Sequence, residues 1–185
     1  GTIQGAAFEA GPLTHLYQLT VDAIREVDES TWACLEPQAM GFNWGLPSGL
    51  GKVNDPREGD PRIAFCPHLY PLPMDLGDGF SGDSRGLVES TVAGWRANTL
   101  RTAEALGNVP IILGEFGLDT NLEGALDYVD LVYSTSDAAG IAAAATRLID
   151  RCELPYADAQ VWPMLVTGGV VVPTDWTDDA DAEAD

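Results

Sequence analysis

The stretch Ile111-Ile112-Leu113-Gly114-Glu115-Phe116-Gly117 is an apolar run that breaks at a glycine and ends on one carboxylate. Two other short apolar runs end in residues able to do chemistry: Glu36 follows Trp32–Leu35, and His68 with Tyr70 follows Ile63–Cys66. A carboxylate near an imidazole and a phenol suits glycoside cleavage. That reaction takes two carboxyl groups, a nucleophile and a general acid/base, about 5–5.5 Å apart in retaining enzymes. In this scheme Glu115 is the nucleophile, Tyr70 hydrogen-bonds it, and His68 holds a substrate hydroxyl or orients the second carboxyl. Trp44, in the loop after Glu36, either offers a flat face to a sugar ring or is a buried structural residue. The competing reading of Glu115 is a structural carboxylate, since buried glutamate is rare unless paired.

The elements that must position these groups alternate between helix and strand. Val109, Ile111, Ile112 and Leu113 predict a short strand apolar on both faces, the pattern of a buried parallel strand. Pro110 fits near its start, where a missing N–H does least harm. Trp32–Leu35 and Ile63–Cys66 predict two more strands. Helical stripes run through Pro12–Asp28 (Leu13, Leu16, Tyr17, Ala23, Ile24, Val27) and Ser84–Leu106 (Leu87, Val88, Val92, Trp95, Leu100, Ala103). Gly107 is placed to stop the second. Leu122–Val132 and the alanine-rich Ala138–Asp150 are further helix candidates. Phe42–Pro61 is a long Gly/Pro/Asn/Asp loop, of a length that tends to be functional or disordered.

Strand, polar residue, loop and helix therefore recur three times in order. Polar groups converging at the carboxyl ends of consecutive parallel strands are the layout of a (β/α)8 barrel's catalytic face. An open doubly wound sheet would usually carry a glycine-rich phosphate turn, and neither G-x-G-x-x-G nor a P-loop occurs. The expected fold is a partial TIM barrel, α/β, because three or four strands cannot close a ring of eight. Residues 1–170 are expected to form that partial barrel, and 171–185 an acidic, disordered tail.

Acidic residues outnumber basic ones 29 to 9, for a formal charge of −20. Nucleic acid and anionic membranes would need the opposite sign, so neither is an expected partner. No apolar stretch is long enough to insert stably in a membrane. Cys34, Cys66 and Cys152 fit neither a disulfide framework nor a zinc spacing, and each reads as a small buried hydrophobe. Cys34 and Cys66 precede Glu36 and His68 by two residues and so share their facing. The chain opens on glycine with no leader visible, and its true N-terminus is expected upstream.

Leu113-Gly114-Glu115-Phe116-Gly117 resembles the nucleophile motif of the clan A glycoside hydrolases, particularly family 5, the cellulase family. Ala64-Phe65-Cys66-Pro67-His68-Leu69-Tyr70 is similar to that family's sixth-strand motif. Together with Leu35-Glu36-Pro37, Asp60-Pro61-Arg62 and Pro67-His68-Leu69-Tyr70-Pro71, these most resemble the endoglycoceramidase branch. The resemblance covers roughly residues 8–130, and it implies that the partial barrel of residues 1–170 is the C-terminal part, approximately strands five to eight. It implies a retaining hydrolase of β-glycosides, glycosphingolipid head groups or β-glucans, acting without a cofactor or metal. Glu115 carries over as nucleophile, with His68 and Tyr70 as active-site residues. Glu36, Trp44 and Trp162 are the expected substrate contacts, Glu36 alternatively an ion-pair partner. Secretion is expected from the same resemblance. The family's acid/base glutamate stands in an Asn-Glu-Pro that this chain lacks, and Glu9, in Phe8-Glu9-Ala10-Gly11, does not match it. The chain is thus expected to need the N-terminal half of a barrel, and to be inactive and poorly soluble without it.

Two readings stand beside this one. A metal-dependent barrel hydrolase would use His68, Glu115 and Glu36, although only His15 and His68 are available as histidines. A carbohydrate-binding remnant would hold sugar without cleaving it.

Overall fold

The chain's first helix starts well before the expected Pro12. The computed structural model describes residues 2–119, 121–141, 166–167 and 170–171. In it α1 (Thr2–Phe8) passes through one π-helical turn, Glu9–Leu13, into α2 (Thr14–Arg25). Pro12 lies inside that turn. A proline in an α-helix interior removes a hydrogen bond and clashes with the carbonyl four residues back, and the wider turn accommodates it. Proline here widens the helix instead of starting it.

Three stretches of chain then lie side by side, all parallel. β1 (Ala33–Leu35) pairs with β2 (Ile63–Phe65) in the register Ala33↔Ile63, Cys34↔Ala64, Leu35↔Phe65. Beyond Pro67 the second strand resumes as β3 (His68–Leu69), paired with β4 (Glu115–Phe116). Phe65 also bridges Ile111, with Phe65 N–H donating to Pro110 O at 2.8 Å and Ile112 N–H to Phe65 O at 2.9 Å. The expected strand at Val109–Leu113 is therefore displaced: only Ile111 bridges, and the regular pairing falls on Glu115–Phe116. Parallel neighbours in sequence order, each separated by a helix or long loop, make an arc of β/α units. A short antiparallel pair, β5 (Val166–Thr167) and β6 (Val170–Val171), lies later in the chain, so Val171 belongs to a strand rather than to the expected tail.

The kinked turn α3 (Ala39–Phe42) follows β1, and α4 (Leu72–Asp75) follows Pro71. α5 (Gly82–Ala105) is the long helix expected from its stripe, and Gly107, at φ +107°, terminates it as expected. Val88, Val92, Trp95 and Ala103 are buried, but Leu87 and Leu100 are exposed. Asn98 and Thr102 take buried places instead, because Asn98 donates to Gly45 O at 2.8 Å and Thr102 to Asn98 O at 2.8 Å. α6 (Ala125–Ala138) begins and ends later than Leu122–Val132. Most of the helix expected at Ala138–Asp150, and all of 172–185, lie outside the described residues. The core joins Phe65, Leu69 and Phe116 from the strands to Trp95, Tyr128 and Val132 from α5 and α6.

The long loop after Glu36 is ordered, which its composition did not predict. The π-helical turn and α2 hold it by polar side chains. Glu9 accepts from the backbone N–H groups of Gln38 and Gly49, both at 2.6 Å. Thr14 Oγ1 accepts from Gly51 N–H, and Gln18 exchanges two hydrogen bonds with Asn54. Arg25 donates to both oxygens of Asp55 at 2.8 and 3.0 Å, with the Asp55 side chain wholly buried. Asp55 also accepts from the Arg57 and Arg62 N–H groups, so it ties the loop's end to the start of β2.

The Arg25 guanidinium holds the Asp55 carboxyl down at about 2, against a burial effect that would raise it. This contribution to stability is present above the ordinary aspartate range and is lost as pH falls through about 2. Asp55→Ala leaves a buried guanidinium unpaired. It should cost about 3–5 kcal/mol in urea unfolding near neutral pH; a loss below about 1 kcal/mol would show the pair to be dispensable.

Candidate active site

The site is assembled by an irregularity in the strand pairing. From Phe65 to His68 is three residues, whereas their partners Ile111 and Glu115 are four apart. One extra residue is accommodated before Glu115, which is the definition of a bulge, a device that re-aims a side chain next to active sites. Gly114 lies in that segment, with its N–H donating to Pro67 O at 3.0 Å. A Cβ at Gly114 would lie 2.9 Å from His68 Cδ2 and 3.2 Å from Cys66 O. Glycine is required because the imidazole packs on its backbone. His68 is fixed from the other side by α5, whose Trp95 indole N–H donates to His68 O at 2.9 Å.

His68, Tyr70, Glu115 and Glu36 converge. His68 Nδ1 lies 3.3 Å from Glu115 Oε2, and Nε2 lies 3.6 Å from Glu36 Oε1. Tyr70 OH donates to Glu115 Oε2 at 3.3 Å. Oε2 thus meets both neighbours, while Glu115 Oε1 has no hydrogen-bond partner among the described residues. The Glu115 side chain is 30% exposed and that of Glu36 52%, so the group opens outward past Glu36.

The electrostatics follow from this placement. Burial alone would push His68 down, but contact with Glu36 and the charge of Glu115 outweigh it, and the net shift is upward. Contact with His68 holds Glu36 below its ordinary range. Burial first, then Glu115, pushes the Tyr70 hydroxyl up to about 12, so it remains a protonated donor through the neutral range.

The other expected residues fare differently. Trp44 is about one-third exposed, in a turn whose Asn43 carbonyl accepts from Tyr70 N–H at 3.2 Å. Its loop borders the site. Trp162 lies outside the described residues. Cys66 is buried as expected, but Cys34 is exposed, on the same open face as Glu36, and the two thiols contact each other. Glu9 is buried and clamps two backbone N–H groups, a structural role that its lack of a motif match did not reveal. Gly114, whose lack of a side chain allows the close backbone approach its type suggests, and Trp95, from the helical stripe, are positioning residues. The sequence signal for Gly114 was its interruption of the run just before Glu115.

Comparison with known proteins bears on this constellation. The family model described as cellulase (glycosyl hydrolase family 5) matches residues 5–148. The chain belongs to glycosyl hydrolase family 5. No curated protein matches. Among solved structures, the chain is similar to endo-glycoceramidase II from Rhodococcus sp. in its ganglioside GM3 complex, at 61% identity and a TM-score of 0.73. It is also similar to the same protein as a lactosyl-enzyme intermediate (58%, TM-score 0.68) and in a cellobiose-like isofagomine complex (60%, TM-score 0.71). Each alignment covers 76% of this chain and 31% of the solved one, so the chain spans about a third of the length of these structures. Family 5 members are (β/α)8 barrels, and the parallel arc described above is part of one. Among the described residues no helix is long and apolar enough to cross a membrane. Nor is any group of three or more His, Cys, Asp or Glu among them set to hold a metal ion.

Gly114→Ala tests the packing. The added methyl must displace His68 from Glu115, at a stability cost of about 1–3 kcal/mol. In the barrel enzyme, activity should fall well beyond what that destabilisation explains. Unchanged stability and activity would mean that the ring has room the distances deny it.

Proposed function

We propose that the chain carries the nucleophile side of a retaining glycosidase active site, with Glu115 as nucleophile. The observation that carries the reading is the asymmetry of Glu115. Its Oε2 is held by His68 and Tyr70 at 3.3 Å each, and Oε1 is left for an anomeric carbon. One phenol donor and an imidazole nitrogen against the same oxygen fix the carboxylate's orientation, as a nucleophile that must form and then release a glycosyl ester requires. The lactosyl-enzyme intermediate of the similar Rhodococcus protein supports the reading, because a covalent glycosyl-enzyme marks the retaining route.

The substrate class we infer is a β-glycoside whose sugar lies against this face, a glycolipid head group first among the choices. Support comes from the ganglioside GM3 complex of that relative, at 61% identity. Trp44 borders the site and could offer an apolar face to the sugar, and Trp162 would be a second such contact. The strands correspond in this reading to roughly the fifth through eighth of the barrel. With no Asn-Glu-Pro in these 185 residues, the general acid is assigned to a barrel segment outside this sequence. Without it, leaving-group departure would be slower by about 10²–10⁴-fold.

Glu115→Gln in the barrel enzyme should reduce turnover of a β-lactosyl substrate by at least about 1,000-fold. A slowly released 2-fluoro-lactosyl probe should add one disaccharide to the wild-type peptide containing Glu115, seen by mass spectrometry. Labelling of a different residue, or full activity in the Gln variant, would remove Glu115 from the role. Tyr70→Phe deletes one hydrogen bond to a charged group, worth about 1.5–3 kcal/mol. The expected loss in kcat is about 10- to 150-fold, and an effect on KM alone would place Tyr70 in sugar binding instead.

A further inference from the structure

We propose that Glu36 is a positioning residue for Glu115, acting through His68: it holds the imidazole as a two-sided donor so that Nδ1–H, and not a lone pair, faces the nucleophile. The inference rests on the role proposed for Glu115 and adds the residue behind it.

The geometry argues as follows. Both ring nitrogens of His68 face carboxylate oxygens, Nδ1 at 3.3 Å from Glu115 and Nε2 at 3.6 Å from Glu36. A neutral imidazole has one N–H and one lone pair, so in either tautomer one carboxylate would face a lone pair. Only the imidazolium satisfies both. The ring cannot swing away from this choice, because Gly114 packs against one side and Trp95 anchors its backbone. The charged groups facing His68 are Glu36, beyond β1, and Glu115, on β4. From α5 the contact is the uncharged Trp95 indole, and Tyr70 reaches Glu115. Glu36 is the one carboxylate of the pair that touches neither Tyr70 nor, in the proposed chemistry, the sugar's reacting carbon. Its part is to keep the proton on His68 while Glu115 changes from free carboxylate to ester and back.

Esterification removes the Glu115 charge midway through the cycle. With Glu36 present, His68 retains one anionic partner through that interval and its proton stays in place. With Glu36 removed, the imidazole can lose Nδ1–H and offer a lone pair to the returning carboxylate. The upward shift of His68 agrees with this arrangement. A histidine shifted upward stabilises the fold fully below its ordinary range, and the contribution is lost as pH rises through the folded value.

The test is an NMR titration of the barrel enzyme, with the His68 ring nitrogens assigned by their loss in a His68→Gln variant. In the wild type, both His68 ring nitrogens should show imidazolium shifts at near-neutral pH; a neutral tautomer there overturns the proposal, whatever the variants do. Glu36→Gln should lower the His68 proton affinity about tenfold, or one pH unit. An unchanged midpoint also overturns it. Glu36→Asp, which keeps the charge but retracts it, should give a smaller decrease. The Trp95 indole N–H signal verifies that β3 remains native in each variant. In the barrel enzyme, Glu36→Gln should move the alkaline limb of kcat downward in pH with KM little changed, a split that loss of packing alone would not give. The NMR result does not depend on hydrolysis, so failure of Glu115 as nucleophile is seen separately, in the Glu115→Gln turnover.

Discussion

The site depends on one register: His68 opposite Glu115, reached by an extra residue in the third strand stretch. Without the bulge, the partner of His68 would be Gly114, and Glu115 would be moved one place on, toward the opposite face. The bulge is tolerated because Gly114 gives up its Cβ to the imidazole. A backbone irregularity, a missing side chain and a packed ring are therefore one constraint. From it follow the 3.3 Å approach to Oε2, the availability of Tyr70 two residues on, and an Oε1 without a hydrogen-bond partner among the described residues.

A second layer of polar clamps keeps that register in place. Glu9, Thr14, Gln18 and Arg25 all reach into the loop between β1 and β2 and satisfy backbone or carboxylate groups there. A loop of that length would otherwise contribute many unsatisfied polar groups and little buried apolar surface. Its end, at Asp55 and Arg62, leads straight into Ile63 and hence into the strand that carries His68. The π-helical turn at Glu9 belongs to the same device. It widens the helix around Pro12, and from its first residue a buried carboxylate reaches two N–H groups on separate parts of the loop.

Much of this was legible in the sequence, and the omissions have physical causes. Short apolar runs ending in Glu36, His68 and Glu115 predicted three parallel strands with polar ends on one face, and those three residues do meet. The motif resemblance named the family that the comparison shows. Strand bounds shifted by a few residues because pairing is decided by neighbours, and the Gly114 bulge moved the regular ladder from Ile111 to Glu115. Which of the two, functional or disordered, the long loop would be was not legible, because its stabilising partners, Glu9 and Arg25, lie 29 to 40 residues away. Local composition carries no trace of such partners. Leu87 and Leu100 look like core on a helical wheel, yet Asn98 and Thr102 are buried because each has a hydrogen bond to give. Cys34 was expected inside and lies on the open face, since the facing it shares with Glu36 points away from Ala33 and Leu35.

The charges of the site become more important as water leaves it. His68 has a side-chain exposure of 19%, Glu115 30% and Glu36 52%, so the outermost carboxylate is the one most screened by solvent. An exposed pair at 3.6 Å contributes little by itself, because high dielectric weakens it. Any group that displaced the water screening both contacts of His68 would lower the dielectric around them. The same distances then act at lower dielectric and their energies rise severalfold. A fully buried pair would have held His68 at all times, but with a desolvation cost in the free protein that this open arrangement avoids.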